Sequence, residues 1–172
     1  MLIDTNALKK GAYKASRIPA VLKDNSGTDL QLILKKNEKL EAIFGQLEQD
    51  ITYHFCTAGR WSQFELLNFV LSQTGPAQVY LTTWKINDYV AGNLFKAIQS
   101  GLITELYTIL EKRIPVTAPE AKDLIVSNSI KYRITDNHSK VISVLNDQWG
   151  VVINGSANMT INPRIEAGTL CT

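Results

Sequence analysis

Near the end of the chain His138 and Lys140 stand two residues apart, and Ser156 and Asn158 repeat that spacing further on. Residues two apart on a strand leave the same face. The stretch between them, VISVLNDQWGVVING, reads as two β-prone runs broken near Asn146-Asp147, the pattern of a hairpin. Closing that hairpin brings an imidazole, an ammonium, a hydroxyl and a primary amide to one face. An imidazole serves as nucleophile or acid/base near neutral pH. The ammonium and the amide supply fixed positive charge and donors where negative charge accumulates. Such a set suits a phosphate oxyanion.

His138-Ser-Lys140 followed by Gly155-Ser156-Ala157-Asn158 resembles the signature of the phospholipase D superfamily: H-x-K, an Asp after four further residues, then G-S-x-N. Here Leu145 stands at the position of that Asp, the nearest acid is Asp147, and the stretch to Gly155 is longer, as for a lengthened turn. The family's Asp is usually read as structural, so the shift concerns the turn more than the chemistry. Glu166, eight residues beyond Asn158, resembles the acid that supports a histidine in that family.

The resemblance implies a two-histidine mechanism in which one His becomes a phosphohistidine while the other, protonated, serves the leaving group. It implies no metal and no cofactor. Carried onto this sequence, His138 takes the histidine role, Lys140 and Asn158 hold phosphate oxygens, Ser156 assists and Glu166 orients a histidine. The chain holds one copy of the motif, and its other histidine, His54 in TYHFC, has no Lys two residues on. Single-copy members of the family complete the site by pairing identical chains, so the resemblance implies a homodimer with each His138 facing the other across a two-fold axis. Small members of this kind resemble nucleases more often than lipid enzymes. Nucleic acid is therefore the expected substrate, ahead of phospholipid. The alternative is a nucleic-acid-binding or assembly module, of a phage- or restriction-type system, that keeps the fold without turnover.

Other constellations read as structure. His54, Cys56, His138 and Cys171 lack the paired short spacing of zinc ligands. The order Cys56, His138, Asn158 matches a thiol protease only in sequence, since Cys56 falls inside an expected strand instead of at a helix N-terminus that would stabilise a thiolate. Trp84 ends an expected central strand, the edge where α/β sheets bind ligands, and there it either lines the site and stacks on a base or simply packs.

The elements that must position these groups follow from periodicity. Residues 1–36 form an N-terminal arm with Gly and Pro breaks and a basic excess, read as a solvated extension with a short strand at Leu30–Leu34, or as an arm that touches a partner subunit or nucleic acid. Residues 37–172 form the domain. Leu40, Ile43, Phe44 and Leu47 recur at helical spacing, with Asn37 placed to cap. DITYHFCT reads as a strand. Ser62 and Glu65 have the form of a capping box opening a helix that Gly75-Pro76 closes. AQVYLTTWKI reads as a strand covered on both faces. Asn87 caps a helix striped by Val90, Ala91, Leu94, Phe95 and Ile98, with Gly101 past its end. ELYTILEKRI is a strand, Thr117 and Glu120 form a second capping box, and IKYRITDNHSKVISVL leads into the hairpin. The residues after Ile165 read as the start of another element.

This alternation predicts an α/β fold with a mixed sheet between helices on both faces, parallel in its first half and closed by the antiparallel hairpin that carries the H-x-K and G-S-x-N residues. The phospholipase D fold is likewise a mixed sheet between helices. The length of 172 residues suits one domain, and 45% apolar residues is ordinary for a globular core. A net charge of +2 is too small to announce a nucleic-acid binder by itself. With no apolar run of membrane-spanning length and no secretion signal at the start, a cytoplasmic protein is expected, and two distant cysteines fit a reducing compartment.

Overall fold

Capping and periodicity build the helices, and long-range pairing builds one sheet around them. The computed structural model describes residues 20–24, 33–34, 39–57 and 59–172. In chain order it contains β1 (Ala20–Asp24), β2 (Ile33–Leu34), α1 (Leu40–Phe44), β3 (Thr52–Cys56), α2 (Gln63–Thr74), β4 (Ala77–Thr83), α3 (Asp88–Gln99) and β5 (Ile103–Glu111). There follow α4 (Ile114–Thr117), α5 (Pro119–Asn128), β6 (Lys131–Thr135), β7 (Val141–Leu145), β8 (Gly150–Gly155) and β9 (Ala167–Cys171). The strands form one sheet in the order β2-β1-β3-β9-β8-β7-β4-β5-β6.

Two of the local signals form as the sequence specifies. The Phe64 amide donates to Ser62 Oγ and the Ser62 amide donates to Glu65, closing the capping box of α2. Asn87 Oδ1 accepts from the Val90 amide at 3.0 Å and opens α3. The second capping box does not form. Thr117 ends α4 and its hydroxyl donates to the Arg113 carbonyl, so the residue before α5 is Ala118, with no side-chain cap. Asp88, reaching across from α3, accepts from the Ala121 amide at 3.0 Å instead. Helix α1 is also shorter than its periodicity predicts, because Gly45 leaves the helix at φ 72°; Leu47 is buried beyond it. Asn37, its expected cap, lies outside the described residues, as does Leu30.

The described helices cover one face of the sheet, where the sequence reading expects helices on both. Four antiparallel pairings separate β3 from β4 across the sheet, so the two run the same way. The connections β3-α2-β4, β4-α3-β5 and β5-α5-β6 then all step in one direction. Right-handed crossovers that step in one direction put every helix on the same side. Burial follows. Val79, Leu81, Leu106, Leu110, Ile142, Val144, Val151 and Ile153 are each at most 1% exposed. Tyr80, Ile109 and Val152, on the opposite face, are 38–39% exposed. Strand β4 is therefore covered on one face only, against its continuous apolar reading.

Two further placements depart from the sequence reading. IKYRIT does not begin the hairpin: β6 pairs parallel with β5 at the sheet edge, and the chain then crosses back to start β7 beside β4. The last residues do form a strand, β9, inserted antiparallel between β3 and β8. That insertion brings Gly155 and Gly168 opposite each other. A Cβ on Gly168 would lie 2.4 Å from the Asn154 carbonyl oxygen and 2.6 Å from the Phe55 ring.

Candidate active site at the strand ends

The expected residues gather where β4, β5 and β6 end and the hairpin begins. His138 and Lys140 are not inside a strand; they form the segment leading into β7, while Ser156 and Asn158 follow β8. The ladder carries the two segments together, with the Gly155 amide donating to the Lys140 carbonyl at 3.3 Å. The hairpin turn spans Asn146 to Trp149. Asn146 Oδ1 accepts from the Gln148 and Trp149 amides, and its NH2 donates to the carbonyls of Thr74 and Pro76. A neutral amide one residue beyond Leu145 thus ties the far end of the hairpin to the loop before β4, and Asp147 stays exposed at the turn.

At the near end, His138 is exposed and Lys140 is buried, 6% exposed. Lys140 Nζ donates to the His138 carbonyl at 2.7 Å and lies 3.4 Å from His138 Nδ1. Burial pulls the Lys140 pKa below its ordinary 10.5, against a smaller opposing pull from the Glu166 charge. The loop carrying them is clamped to the sheet: Asn137 Nδ2 donates to the carbonyls of Thr83 and Ile109, and Ser139 Oγ bonds Thr82 Oγ1 at 2.9 Å.

Asn158 is 9% exposed, and its Oδ1 is buried without a hydrogen-bond partner among the described residues. Buried amides are nearly always paired. The unpaired atom is a carbonyl oxygen, which accepts and does not donate, so it would meet a ligand's donor group. Ser156 is exposed; its Oγ donates to Glu166 Oε2 at 2.5 Å and accepts from the Ala167 amide at 3.1 Å. Glu166 Oε1 accepts from Asn162 Nδ2 at 2.9 Å, and its backbone pairs with Thr57. Among the described residues the Glu166 carboxylate is thus held by Ser156 and Asn162, not by a histidine of its own chain.

Gln63 and Arg113 join the site without a sequence signal that marks them, and Trp84, marked by its place at a strand end, joins them. Gln63, fully buried at the start of α2, donates through Nε2 to the Lys140 carbonyl at 2.7 Å and through its amide to the Asn158 carbonyl at 3.0 Å, so one residue fixes both segments. Trp84 is brought in by the end of β4: its ring meets His138 edge-on at 5.4 Å, and Lys140 Nζ lies 5.9 Å from its centroid. Arg113 stacks its guanidinium 5.1 Å from the same ring while Nε binds the buried Glu111 carboxylate at 3.1 Å. Trp84, Lys85, Glu111, Arg113 and Thr117 line a cleft beside the histidine. Among the described residues no three His, Cys, Asp or Glu side chains cluster as a metal site would require. No described helix is long and apolar enough to cross a membrane.

No family model and no curated protein matches the chain. Among solved structures, polyphosphate kinase from Porphyromonas gingivalis is similar with a TM-score of 0.50 at 13% identity. The match covers 70% of this chain and 23% of that one. The chain therefore spans less than a quarter of the length of the enzyme it resembles. At that identity the likeness is one of fold alone, a mixed α/β sheet with its helices.

Proposed function

We propose that the chain is a metal-independent phosphodiesterase of phospholipase D-like type, acting on nucleic acid through His138 at a site shared by two copies. The observation that carries this reading is the buried Lys140 ammonium against the exposed His138 imidazole, on a segment that Gln63 joins to the one carrying Asn158. A buried cation is expensive unless something anionic meets it. A phosphate diester is such a group, and its oxygens would take Lys140 Nζ and the Asn158 amide together.

In the reaction, the imidazole of one His138 attacks phosphorus and the bond to the leaving oxygen breaks. That oxygen takes a proton from the protonated His138 of the second copy. A water molecule then gives its proton to this second, now neutral, imidazole and attacks the phosphohistidine, which releases a phosphomonoester and the first imidazole. Attack through Nε2 needs the proton on Nδ1, held by an acceptor, whereas Lys140 presents an ammonium to Nδ1 within the chain. The missing acceptor is a carboxylate from the other copy, for which Glu166, half-buried beside the exposed Ser156, is the candidate. The homodimer and the role of Glu166 are thus one requirement.

The test is hydrolysis of bis(p-nitrophenyl) phosphate in excess EDTA, parent against His138→Ala, with the mass of each sample measured by light scattering. Hydrolysis in chelator that belongs to a dimer and disappears in the mutant supports the shared site. Hydrolysis that disappears with the metal, or that a monomer performs unaided, sinks it. A folded dimer that binds nucleic acid without hydrolysing either substrate is the module reading.

A further inference from the structure

The face of the sheet that no described helix covers carries an ordered set of side chains that the site at the strand ends does not use. Register puts Tyr80, Tyr107 and Lys131 in one row across β4, β5 and β6, and Thr82, Ile109 and Arg133 in the next. The Tyr80 and Tyr107 rings stack with centroids 4.5 Å apart and planes 5° from parallel. Each ring uses one face on the other, with Tyr80 exposed and Tyr107 half-buried. Beyond Tyr80 the row continues to Ser143 on β7, too small to fill the space above it. Beyond Tyr107 it reaches Lys131. Lys131 and Arg133 are exposed, and among the described residues neither is paired with a carboxylate. Alternation along β5 puts two acids on this face: Glu105 is occupied by the Tyr107 hydroxyl at 2.7 Å, at the end remote from His138, and Glu111 is buried and bound by Arg113. A shallow groove runs between the tyrosines and the β6 cations.

The second row leads to the catalytic segment. Thr82 Oγ1 bonds Ser139, and the Ile109 carbonyl accepts from Asn137, so the loop that carries His138 is seated on the rim of this face.

We propose that the open sheet face is a platform for single-stranded nucleic acid, with bases stacked on the outer faces of Tyr80 and Tyr107, phosphates on Lys131 and Arg133, and the strand led over Thr82 toward His138. Aromatic rings beside unpaired cations on a sheet surface match what single strands offer, unstacked bases and a continuous run of phosphates. A duplex hides its base faces and cannot extend the tyrosine stack. Delivery to His138 rests on the phosphodiesterase reading; the binding itself does not.

The experiment measures anisotropy of a short fluorescein-labelled oligothymidylate, and of the same label on a duplex, against the parent and four variants. Tyr107→Ala should weaken single-strand binding about 5- to 150-fold, the effect of losing one stacked base. Tyr107→Phe, which keeps the ring, should bind as the parent does and separates lost stacking from lost folding. The double variant K131A/R133A should lower the slope of log affinity against log salt by roughly two. Hydrolysis of bis(p-nitrophenyl) phosphate by the parent and its loss in His138→Ala are read beside the binding curves, so a failure of catalysis and a failure of the platform are distinguishable. Equal affinity for the duplex, unchanged binding in Tyr107→Ala, or a parental dimer that dissociates in Tyr107→Ala because this face holds a second copy would each overturn the proposal.

Discussion

Lys140→Met separates function from stability at the centre of the site. Methionine keeps the length and most of the volume of the side chain while removing its charge. The change gives up the hydrogen bond from Nζ to the His138 carbonyl, 2.7 Å long and charge-assisted, worth about 1.5–3 kcal/mol. That carbonyl belongs to an exposed residue, so water replaces much of the loss. Against it stands the removal of a buried ammonium, whose cost the lowered pKa reports. The two nearly offset, and urea unfolding should place the mutant within about 1 kcal/mol of the parent. Hydrolysis of bis(p-nitrophenyl) phosphate should fall by about 10²–10³, the effect of removing one oriented donor from a developing oxyanion.

The sign of the pH dependence follows from the same burial. A lysine whose folded pKa lies below its unfolded value binds fewer protons when folded, so stability rises with pH through the window between the two. The penalty is present in full below the folded pKa and is relieved as pH climbs toward 10.5. The parent should therefore gain on Lys140→Met in alkaline urea melts as that window is crossed. A mutant that loses more than about 3 kcal/mol would show that the ammonium stabilises the fold, the signature of a buried pair broken. A folded mutant with parental activity would remove Lys140 from the chemistry.

Gly168→Ala should destabilise by about 3 kcal/mol or more in urea melts, because its Cβ would fall against backbone oxygen and the Phe55 ring, neither able to yield. Gly150→Ala, where the nearest atom to an added Cβ is a Leu145 methyl at 3.8 Å, serves as the tolerant control. Asn146→Ala removes the tie between the hairpin and the Thr74 and Pro76 carbonyls and should cost about 1–3 kcal/mol, while activity per folded molecule is retained. Tyr107 should ionise near pH 12, raised first by its bond to Glu105; ultraviolet difference titration of Glu105→Gln should bring that ionisation back toward 10.

Some of the site was legible in the chain because it is local. The two-residue spacing of His138 with Lys140 and of Ser156 with Asn158, joined by one hairpin, is enough to bring the two segments together, and a ladder bond between Gly155 and Lys140 does so. The capping box at Ser62 and the Asn87 cap are equally local, since each is a side chain closing on an amide within one turn. The capping box read at Thr117 failed for a non-local reason: Asp88, distant in sequence, supplies the acceptor.

The rest is tertiary. Nothing in the residues near Gln63 marks it as the side chain beneath both Lys140 and Asn158, because that role depends on where α2 starts relative to a hairpin formed far later in the chain. Glu166 stood out only through the family resemblance, and the structure turns it toward Ser156 and Asn162 because β9 is inserted between β3 and β8. Trp84 and Arg113 converge on His138 only once β4, β5 and β6 end at the same edge. The bare face with its stacked tyrosines is the clearest instance. Sequence determined most of the strands and helices, and the approach of the H-x-K and G-S-x-N segments, through short-range periodicity and spacing. Tertiary structure alone decided that the crossovers among β3, β4, β5 and β6 step the same way, and with right-handed connections that puts the described helices on one face of the sheet.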